Sequence, residues 1–502
     1  MSEKVRVRLE PLGEILLVEE GADLRDELFA RGVEFPCGAT GSCRGCTVRV
    51  LGDATAPDAA ESDALEQHEL DHGWRLGCRL RAHEGLTLEV DSWGCSLTED
   101  TSALSVPSAR EGLGVAIDLG TTTVAVQLLD LRSGHVIGSE VGLNPQARFG
   151  ADLMSRLDTA RNLDGRKQLT TCIREYLAAV VDRLMASARP EAGPLLAAVV
   201  VGNTAMRDLA CGVAIEGLLG VPFEPGDLLW REFRGADLGW SEPDVAVHFL
   251  PPAGGFVGSD ALAGALAVGL CGGERPRALI DLGTNGEIMV GDRTSLTCAS
   301  TAAGPAFEGA RIRFGMRAAA GAIHRVDAGE PLRCSVLGGG AARGICGSGL
   351  VDAVASALDG GWLRPDGRLT RPGSLPLIEP VVLTQSDIRE LQLAKGAIAA
   401  GLESVLEHRG LRAEDLESLH LAGAFGNQVH PRSGKRIGLW PALRIHPRSS
   451  GNAALHGAKA VLLASDAGFD AYSELLARST HLALGEDPAF QDRFVDALGF
   501  PG

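Results

Sequence analysis

The sequence predicts an α/β protein in which a small β-rich N-terminal unit precedes two similar α/β lobes. Three observations carry that prediction. Val5–Leu9 and Glu14–Val18 alternate in polarity around Gly13, the pattern of a β-hairpin. From Leu113 onward, apolar strand-like runs alternate with helical segments, as in layered α/β architecture. Finally, L-G-V-A-I-D-L-G-T-T-T-V at 113–124 is echoed by P-R-A-L-I-D-L-G-T-N-G-E at 276–287, with the two aspartates 163 positions apart. A strand–turn–strand duplicated at one lobe's length implies two lobes that face each other.

Within the first 95 residues, Ala22–Ala30 has a helical pattern and a cysteine-rich loop follows it. Thr47–Leu51 and Leu86–Val90 read as further strands, with a short acidic helix near Ser62–Leu70. Residues 96–112 are small, polar and turn-prone, so they read as a linker. Residues 113–502 then form the two-lobed region, with the second lobe starting near 275. A looser pair, A-A-V-V-V-G-N-T at 197–204 and H-L-A-G-A-F-G-N at 420–427, ends two apolar runs in glycine-containing turns.

At 502 residues the chain needs more than one core. Its 45% hydrophobic and 22% charged residues are those of an ordinary globular protein. Aromatics are scarce at 4% against 65 glycines, so the core is aliphatic and tight turns are frequent. A net charge of −18 without a basic cluster argues against nucleic acid as a partner. The start M-S-E-K-V-R-V-R-L-E lacks an apolar signal core, and the Ala-rich run near 261–271 is too short to span a bilayer. The expectation is a cytoplasmic protein with no membrane partner. Eleven cysteines in that compartment point to metal or redox use of the clustered ones.

The cluster lies in F-P-C-G-A-T-G-S-C-R-G-C, and its spacing is Cys37-x5-Cys43-x2-Cys46-x31-Cys78. Plant-type ferredoxins hold a 2Fe–2S cluster with C-x4-C-x2-C and a distant fourth cysteine, so this loop has one extra residue in its first gap. Four thiolates must converge from a sharply turning backbone, and Gly38, Gly41 and Gly45 permit that turning. The reading is a β-grasp ferredoxin-like domain with Cys37, Cys43, Cys46 and Cys78 as ligands. Structural zinc also accepts four cysteines, but its sites typically pair two short knuckles. Cys95, Cys172 and Cys346 are scattered and read as small buried hydrophobes. H-E-L-D-H at 68–72 matches a zinc-protease pattern, yet a short acidic helix in so small a domain reads as a chance match.

No G-x-x-x-x-G-K-[ST] loop is present. The repeated D-x-G-T turn offers another phosphate site, because a strand ending in aspartate folds back through glycine and threonine with amide hydrogens facing outward. Two such turns can clasp a polyphosphate. Asp118 and Asp281 would face it through a hydrated Mg²⁺ or orient the attacking water. Gly120, Thr121, Thr122 and Thr123 form the first turn, and Gly283, Thr284 and Asn285 the second. The pair resembles the phosphate motifs shared by acetate and sugar kinases, heat-shock chaperones and actin, the ASKHA group. That resemblance implies a two-lobed actin-like ATPase core. It also implies a connecting helix entered at Gly347 and an adenosine motif at L-A-G-A-F-G-N, where Gly423 and Gly426 would admit base and ribose. Close helix packing is the alternative account of these glycines.

Nearly the whole chain resembles the reductive activators of corrinoid proteins. The motifs are the cysteine loop, R-L-G-C-R-L around Cys78, N-P-Q-A-R-F-G-A-D at 144–152, D-L-G-T-N-G-E, S-T-A-A-G-P-A-F-E-G at 300–309 and T-Q-S-D-I-R-E-L-Q-L-A-K at 384–395. The resemblance implies that the cluster passes one electron to cob(II)amide on a corrinoid methyl-transfer protein, forming cob(I)amide while ATP is hydrolysed. It also implies an upstream low-potential electron donor and leaves room for a homodimer. It suggests that Ser300 or Thr301, in a loop after the second turn, touches the corrinoid, a turn-capping hydroxyl being the alternative. Arg389, Gln392 and Lys395 would form a partner-facing stripe or a solvated face. Some members carry a middle domain, whereas the linker here leads directly to D-L-G-T-T-T. Other readings are an activator of a radical dehydratase, a small-molecule kinase with a redox-sensing domain and Asp152 as base, and a chaperone-like ATP-dependent binding module.

Overall fold

The computed structural model describes residues 4–10, 13–29, 31, 33, 35, 41, 46–52, 56–65, 67–90, 104–150, 152–188, 193–220, 223–283, 285–309, 311–441 and 445–502. The chain forms two compact units, one of Met1–Ser96, Gly120–Val124 and Val141–Leu177, the other of Leu97–Leu119, Ala125–Glu140 and Ala178–Gly502.

In the N-terminal part, β1 (Lys4–Glu10) and β2 (Glu14–Glu19) pair antiparallel from Lys4↔Glu19 to Leu9↔Glu14. The hairpin turns through Gly13 at a φ of 69°, a conformation glycine adopts freely. Helix α1 (Arg25–Phe29) is shorter than the expected 22–30. β3 (Thr47–Val50) follows the cysteine loop. The expected acidic helix is two short ones, α2 (Ala59–Ala64) and α3 (Gln67–Asp71), and α2 ends where Leu65 takes an extended backbone. Consequently His72 lies past the end of α3, and the H-E-L-D-H pattern does not share one helix. β4 (Trp74–Leu76) and β5 (Thr87–Glu89) complete a sheet of order β2-β1-β5-β3-β4. The central β1–β5 pair is parallel, the mark of a β-grasp. Its core is aliphatic, with Val7, Leu9, Leu24, Leu28, Leu76 and Leu88 fully buried.

The first lobe contains β6 (Leu113–Leu119), β7 (Thr123–Asp130), β8 (Val136–Leu143), α4 (Leu153–Thr159), α5 (Leu163–Ser187), β9 (Leu195–Gly202), α6 (Thr204–Cys211), β10 (Arg231–Arg234), β11 (Ala246–Phe249) and α7 (Ser259–Ala267). Its sheet order is β10-β11-β9-β6-β7-β8. The second lobe opens with β12 (Arg277–Leu282), β13 (Gly286–Gly291) and β14 (Leu296–Thr301). A three-stranded sheet follows, of β15 (Ala322–Asp327), β16 (Arg333–Val336) and β17 (Gly344–Ile345), then α8 (Gly347–Asp359) and the small pair β18 (Leu375–Pro376) and β19 (Val382–Leu383). Next come α9 (Gln385–His408), β20 (Ser418–Ala422), α10 (Gly423–Gly426), α11 (Pro431–Ile437), β21 (Arg448–Ser449), α12 (Ala453–Ala464) and β22 (Ser479–His481). The large second-lobe sheet runs β21-β20-β12-β13-β14-β22.

The two large sheets share a plan. β9 lies parallel to β6 with Val201 opposite Asp118, and β20 lies parallel to β12 with Ala422 opposite Asp281. A glycine at the end of β9 and another just past β20 sit against the carbonyl that follows each aspartate. A side chain at Gly202 would meet Leu119 O at 2.5 Å, and one at Gly423 would meet Leu282 O at 2.7 Å. The looser repeat in the sequence is therefore the neighbouring strand of each lobe. Helix α7 packs on β9 and β12, while α12 packs on β6, β9 and α7. At their crossing a side chain on Gly457 would lie 2.0 Å from Ala263 O, so the two backbones touch. No helix among the described residues is long and apolar enough to cross a membrane.

Helix α9 corrects one expectation. Gln392 and Lys395 are buried rather than turned to a partner. Gln392 Nε2 donates to Leu498 O at 2.8 Å, Lys395 Nζ donates to Gly499 O, and Arg389 Nη1 donates to Asp366 O at 2.9 Å. Long polar side chains are used here to satisfy backbone carbonyls, two of them in the C-terminal tail. Lys395 has its pKa lowered to about 8 by burial.

Candidate functional site

Two sites emerge from these elements. In the N-terminal unit, the antiparallel pair β3–β4 places Thr47 opposite Leu76, which brings the flanking residues together. Gly77 N donates to Cys46 O at 2.8 Å, so the backbone next to the fourth cysteine is bonded to the third across 31 intervening residues. A side chain on Gly77 would strike Cys46 O at 2.9 Å, which explains glycine beside Cys78. Cys46 and Cys78 are both buried in the domain core. Cys37, Cys43 and Cys95 lie outside the described residues. Two buried cysteines carried to neighbouring strand ends by the β3–β4 pair fit the expected four-thiolate cluster site. Cys346 is buried as expected of a small hydrophobe, whereas Cys172 is half-buried.

The second site lies at the ends of β6 and β12, where Asp118 and Asp281 are close enough to repel each other's charge. In the first turn Gly120 N donates to Thr123 O at 3.0 Å, and a side chain on Gly120 would crowd that oxygen at 2.7 Å. Thr121 and Thr122 form the tip, partly exposed, and Thr123 opens β7. In the second turn Gly283 N donates to Asn285 O at 3.1 Å; Thr284 lies outside the described residues. Antiparallel register sets Asp281 opposite Glu287 on β13 and Glu287 opposite Ser300 on β14. Directly opposed residues project from the same face of a sheet, so the three form one row. The Ser300 hydroxyl donates to the Glu287 carboxylate.

This row corrects a second expectation. Ser300 and Thr301 are the last residues of β14, not of a loop, and Thr301 is buried. Ser300 is engaged with a carboxylate beside Asp281, which places it in the network of the carboxylate group.

The sequence reading missed three residues of this site. Asn452 caps α12 by accepting from Leu455 N at 2.8 Å, and its Nδ2 donates to Asp118 Oδ2 at 2.7 Å. Asp260, in the first turn of α7, and Glu287 complete a group of four carboxylates with Asp118 and Asp281. Burial followed by the charge of neighbouring carboxylates raises Asp260 and Asp281 to about 7. Burial raises Asp118 to about 6 against the opposing Asn452 bond, and Glu287 is pushed well above the usual range by burial and by Asp281 and Asp260. None of the four is ion-paired among the described residues. Nor, among those residues, do three ligand-type side chains converge tightly enough to hold a metal directly. Hard oxygen donors that repel one another at this spacing suit a cation that keeps its water shell, as Mg²⁺ does.

The glycines divide. Gly423, at a φ of 82°, has its open position 2.6 Å from Asp281 Oδ1, so a side chain there would enter the carboxylate site. Gly426 has only ordinary van der Waals neighbours, the closest at 3.5 Å. Gly347 is buried where a side chain would meet Phe307 O at 2.1 Å and Phe425 at 2.8 Å, so packing accounts for it. Asp152 is the N-cap of α4, accepting from Ser155 N at 2.8 Å.

Comparison with known proteins gives the family. Residues 276–502 match "C-terminal domain of RACo the ASKHA domain", 113–272 match "RACo middle region", and 7–83 match "2Fe-2S iron-sulfur cluster binding domain". Corrinoid activation enzyme RamQ of Eubacterium limosum is 34% identical over 414 residues, covering 76% of this chain and 69% of that protein. The chain belongs to the family of reductive activators of corrinoid proteins. The [Co(II) methylated amine-specific corrinoid protein] reductase of Methanosarcina barkeri is 29% identical over 421 residues, with 77% of each chain covered. A solved "Reductive activator for corrinoid,iron-sulfur protein" superposes with a TM-score of 0.69 at 26% identity, covering 99% of this chain and 98% of that one. The match over 113–272 corrects the expectation that this activator lacks the family's middle region.

The carboxylate group gives the activator a pH signature. If these carboxylates hold hydrated Mg²⁺ for ATP they must do so in the charged form, and burial has raised Asp260 and Asp281 to about 7. Binding must therefore release protons below that pH. We expect Mg–ATP affinity to rise between pH 6 and 7.5, up to about tenfold per unit for each proton released, and to level off above. Stability of the nucleotide-free protein has the opposite slope. The folded-state pKa values are raised from 3.8, so the stability present below pH 4 declines as pH climbs toward about 7. Calorimetric titrations in two buffers, with thermal melts across the same range, check both signs.

Proposed function

We propose that this chain drives the ATP-dependent one-electron reduction of an inactive cob(II)amide on a corrinoid methyl-transfer protein to nucleophilic cob(I)amide. The observation that carries the reading is one chain of a corrinoid-activator family that matches a 2Fe-2S domain and also gathers four carboxylates at the ends of β6 and β12. Cys37, Cys43, Cys46 and Cys78 would hold the 2Fe–2S cluster, which when bound supplies a low-potential electron obtained from an upstream donor. The two turns would hold the phosphates of ATP. Asp118 and Asp281, with Asp260 and Glu287, would hold hydrated Mg²⁺, and Asn452 would keep Asp118 oriented. Gly423 would leave room beside Asp281.

The energetics explain why the two sites share a chain. Plant-type clusters lie near about −400 mV, and the cob(II)/cob(I) couple is expected to lie lower. Each 59 mV of one-electron mismatch is about tenfold in the equilibrium. A gap of about 120 mV then corresponds to roughly 2.8 kcal/mol. ATP can offset that only by making the activator bind one cobalt state more tightly than the other. No phosphorylated product is required.

The test is an anaerobic mixture of the reconstituted protein, a candidate corrinoid protein, a chemical reductant and Mg–ATP. Absorbance of cob(I)amide should develop only when cluster and ATP are both present. Equal reduction without ATP, or appearance of a phosphorylated small molecule, would refute the reading.

A further inference from the structure

We propose that the segment from Asn144 to Arg148 is a positioning strut that ties the first phosphate turn to the cluster-bearing domain, so that nucleotide at the turn is felt beside the cysteine loop. The inference rests on the reading of that turn as a nucleotide site.

Asn144 is fully buried and every part of its amide is committed. Its Oδ1 accepts from Gln146 N at 3.0 Å, the usual cap of a short helical turn. Its other side-chain atom leaves the segment: Nδ2 donates to Gly120 O at 2.8 Å. Its backbone N donates to Thr122 O, also at 2.8 Å. One residue thus grips two carbonyls of the phosphate turn, on either side of Thr121. A turn that only capped itself would need neither bond.

The strut is short and stiff. Pro145 opens the 3₁₀ turn Pro145–Phe149, and Gln146 Nε2 donates to Leu169 O on α5 at 3.1 Å. Its far side reaches the ferredoxin-like domain. Leu143 and Ala147 pack against the hydrophobic core of that domain. The exposed Arg148 places its guanidinium 6.0 Å from the centre of the Phe29 ring, at the end of α1. The neighbouring Leu28 lies 3.2 Å from where a Gly77 side chain would begin, and Gly77 is bonded to Cys46. A continuous chain of bonds and packed groups therefore runs from Gly120 to the cysteines.

The test uses full-length protein with its cluster in place, and Mg²⁺ with the non-hydrolysable analogue AMP-PNP as the probe. In the unmodified protein, the analogue should slow hydrogen exchange in the peptide from Leu24 to Phe29 by about threefold or more. Arg148→Ala, at an exposed position outside the turn, should bind the analogue as the unmodified protein does but lose that slowing. Asn144→Asp keeps the cap and the size while replacing the donor to Gly120 O with an oxygen. It should keep the visible spectrum of the cluster, lose the slowing, and raise the ATP consumed per cob(I)amide formed by about tenfold. Binding of the analogue without slowing in the unmodified protein, or unchanged slowing in Arg148→Ala, overturns the strut alone. Failure of the analogue to bind overturns the nucleotide reading and the strut with it.

Discussion

Asp281→Ala is expected to abolish ATP-dependent reduction of the corrinoid partner, by at least about a hundredfold, while the ferredoxin-type spectrum stays intact. Asp281 is the penultimate residue of β12, faces Glu287 across the hairpin and has Gly423 at its side. The thermal melt distinguishes this loss from simple unfolding. Asp281 is raised to about 7 because its charge is buried and opposed by Asp118, so its ionised form weakens the folded state. Removing it should leave the nucleotide-free melting temperature equal or higher at pH 8, where the carboxylate would otherwise be charged. A variant that loses both turnover and stability would remove Asp281 from the mechanism.

Cys78→Ser should have the complementary effect. Serine's hydroxyl stays protonated where a thiolate is needed, so one of four ligands is lost. Cys78 is buried, so no side chain from solvent can replace it. The visible absorption and stoichiometric iron of the 2Fe–2S form should disappear, and with them all corrinoid reduction. ATP hydrolysis should survive, because Cys78 belongs to the other site. Retention of the ferredoxin-type spectrum would overturn the ligand assignment. The pair of variants separates the two halves of the reaction, one losing the electron source and the other the nucleotide drive.

Much of this was legible in the sequence where the physics is local. A hairpin around Gly13, two D-L-G-T turns and the cysteine loop each declare themselves within about a dozen residues, since turn chemistry and alternation act at that range. Glu287 was legible but unassigned. It lies in the quoted D-L-G-T-N-G-E, and hairpin register alone puts it on the face of Asp281. Asn452 was not legible, because its partner Asp118 is 334 positions away and its local signal is only that of a helix cap. Asp260 likewise looks like an ordinary first-turn acid. Gln392 and Lys395 misled because spaced polar residues on a helix resemble a solvated face. Their partners are backbone carbonyls about a hundred residues downstream, beyond any sequence window. Ser300 misled in another way. T-C-A-S-T is composed of small residues that read as loop, yet β13 and β22 pair with that strand on both sides.

The contact between α7 and α12 has a consequence for motion. Where Gly457 meets Ala263, main chain rests on main chain with nothing wedged between. Interlocked side chains hold helices in discrete settings, because each new setting requires repacking. At this crossing a side chain on Gly457 would strike Ala263 O and force α7 and α12 apart, so glycine there sets how closely the two helices rest and how little hinders one from shifting on the other.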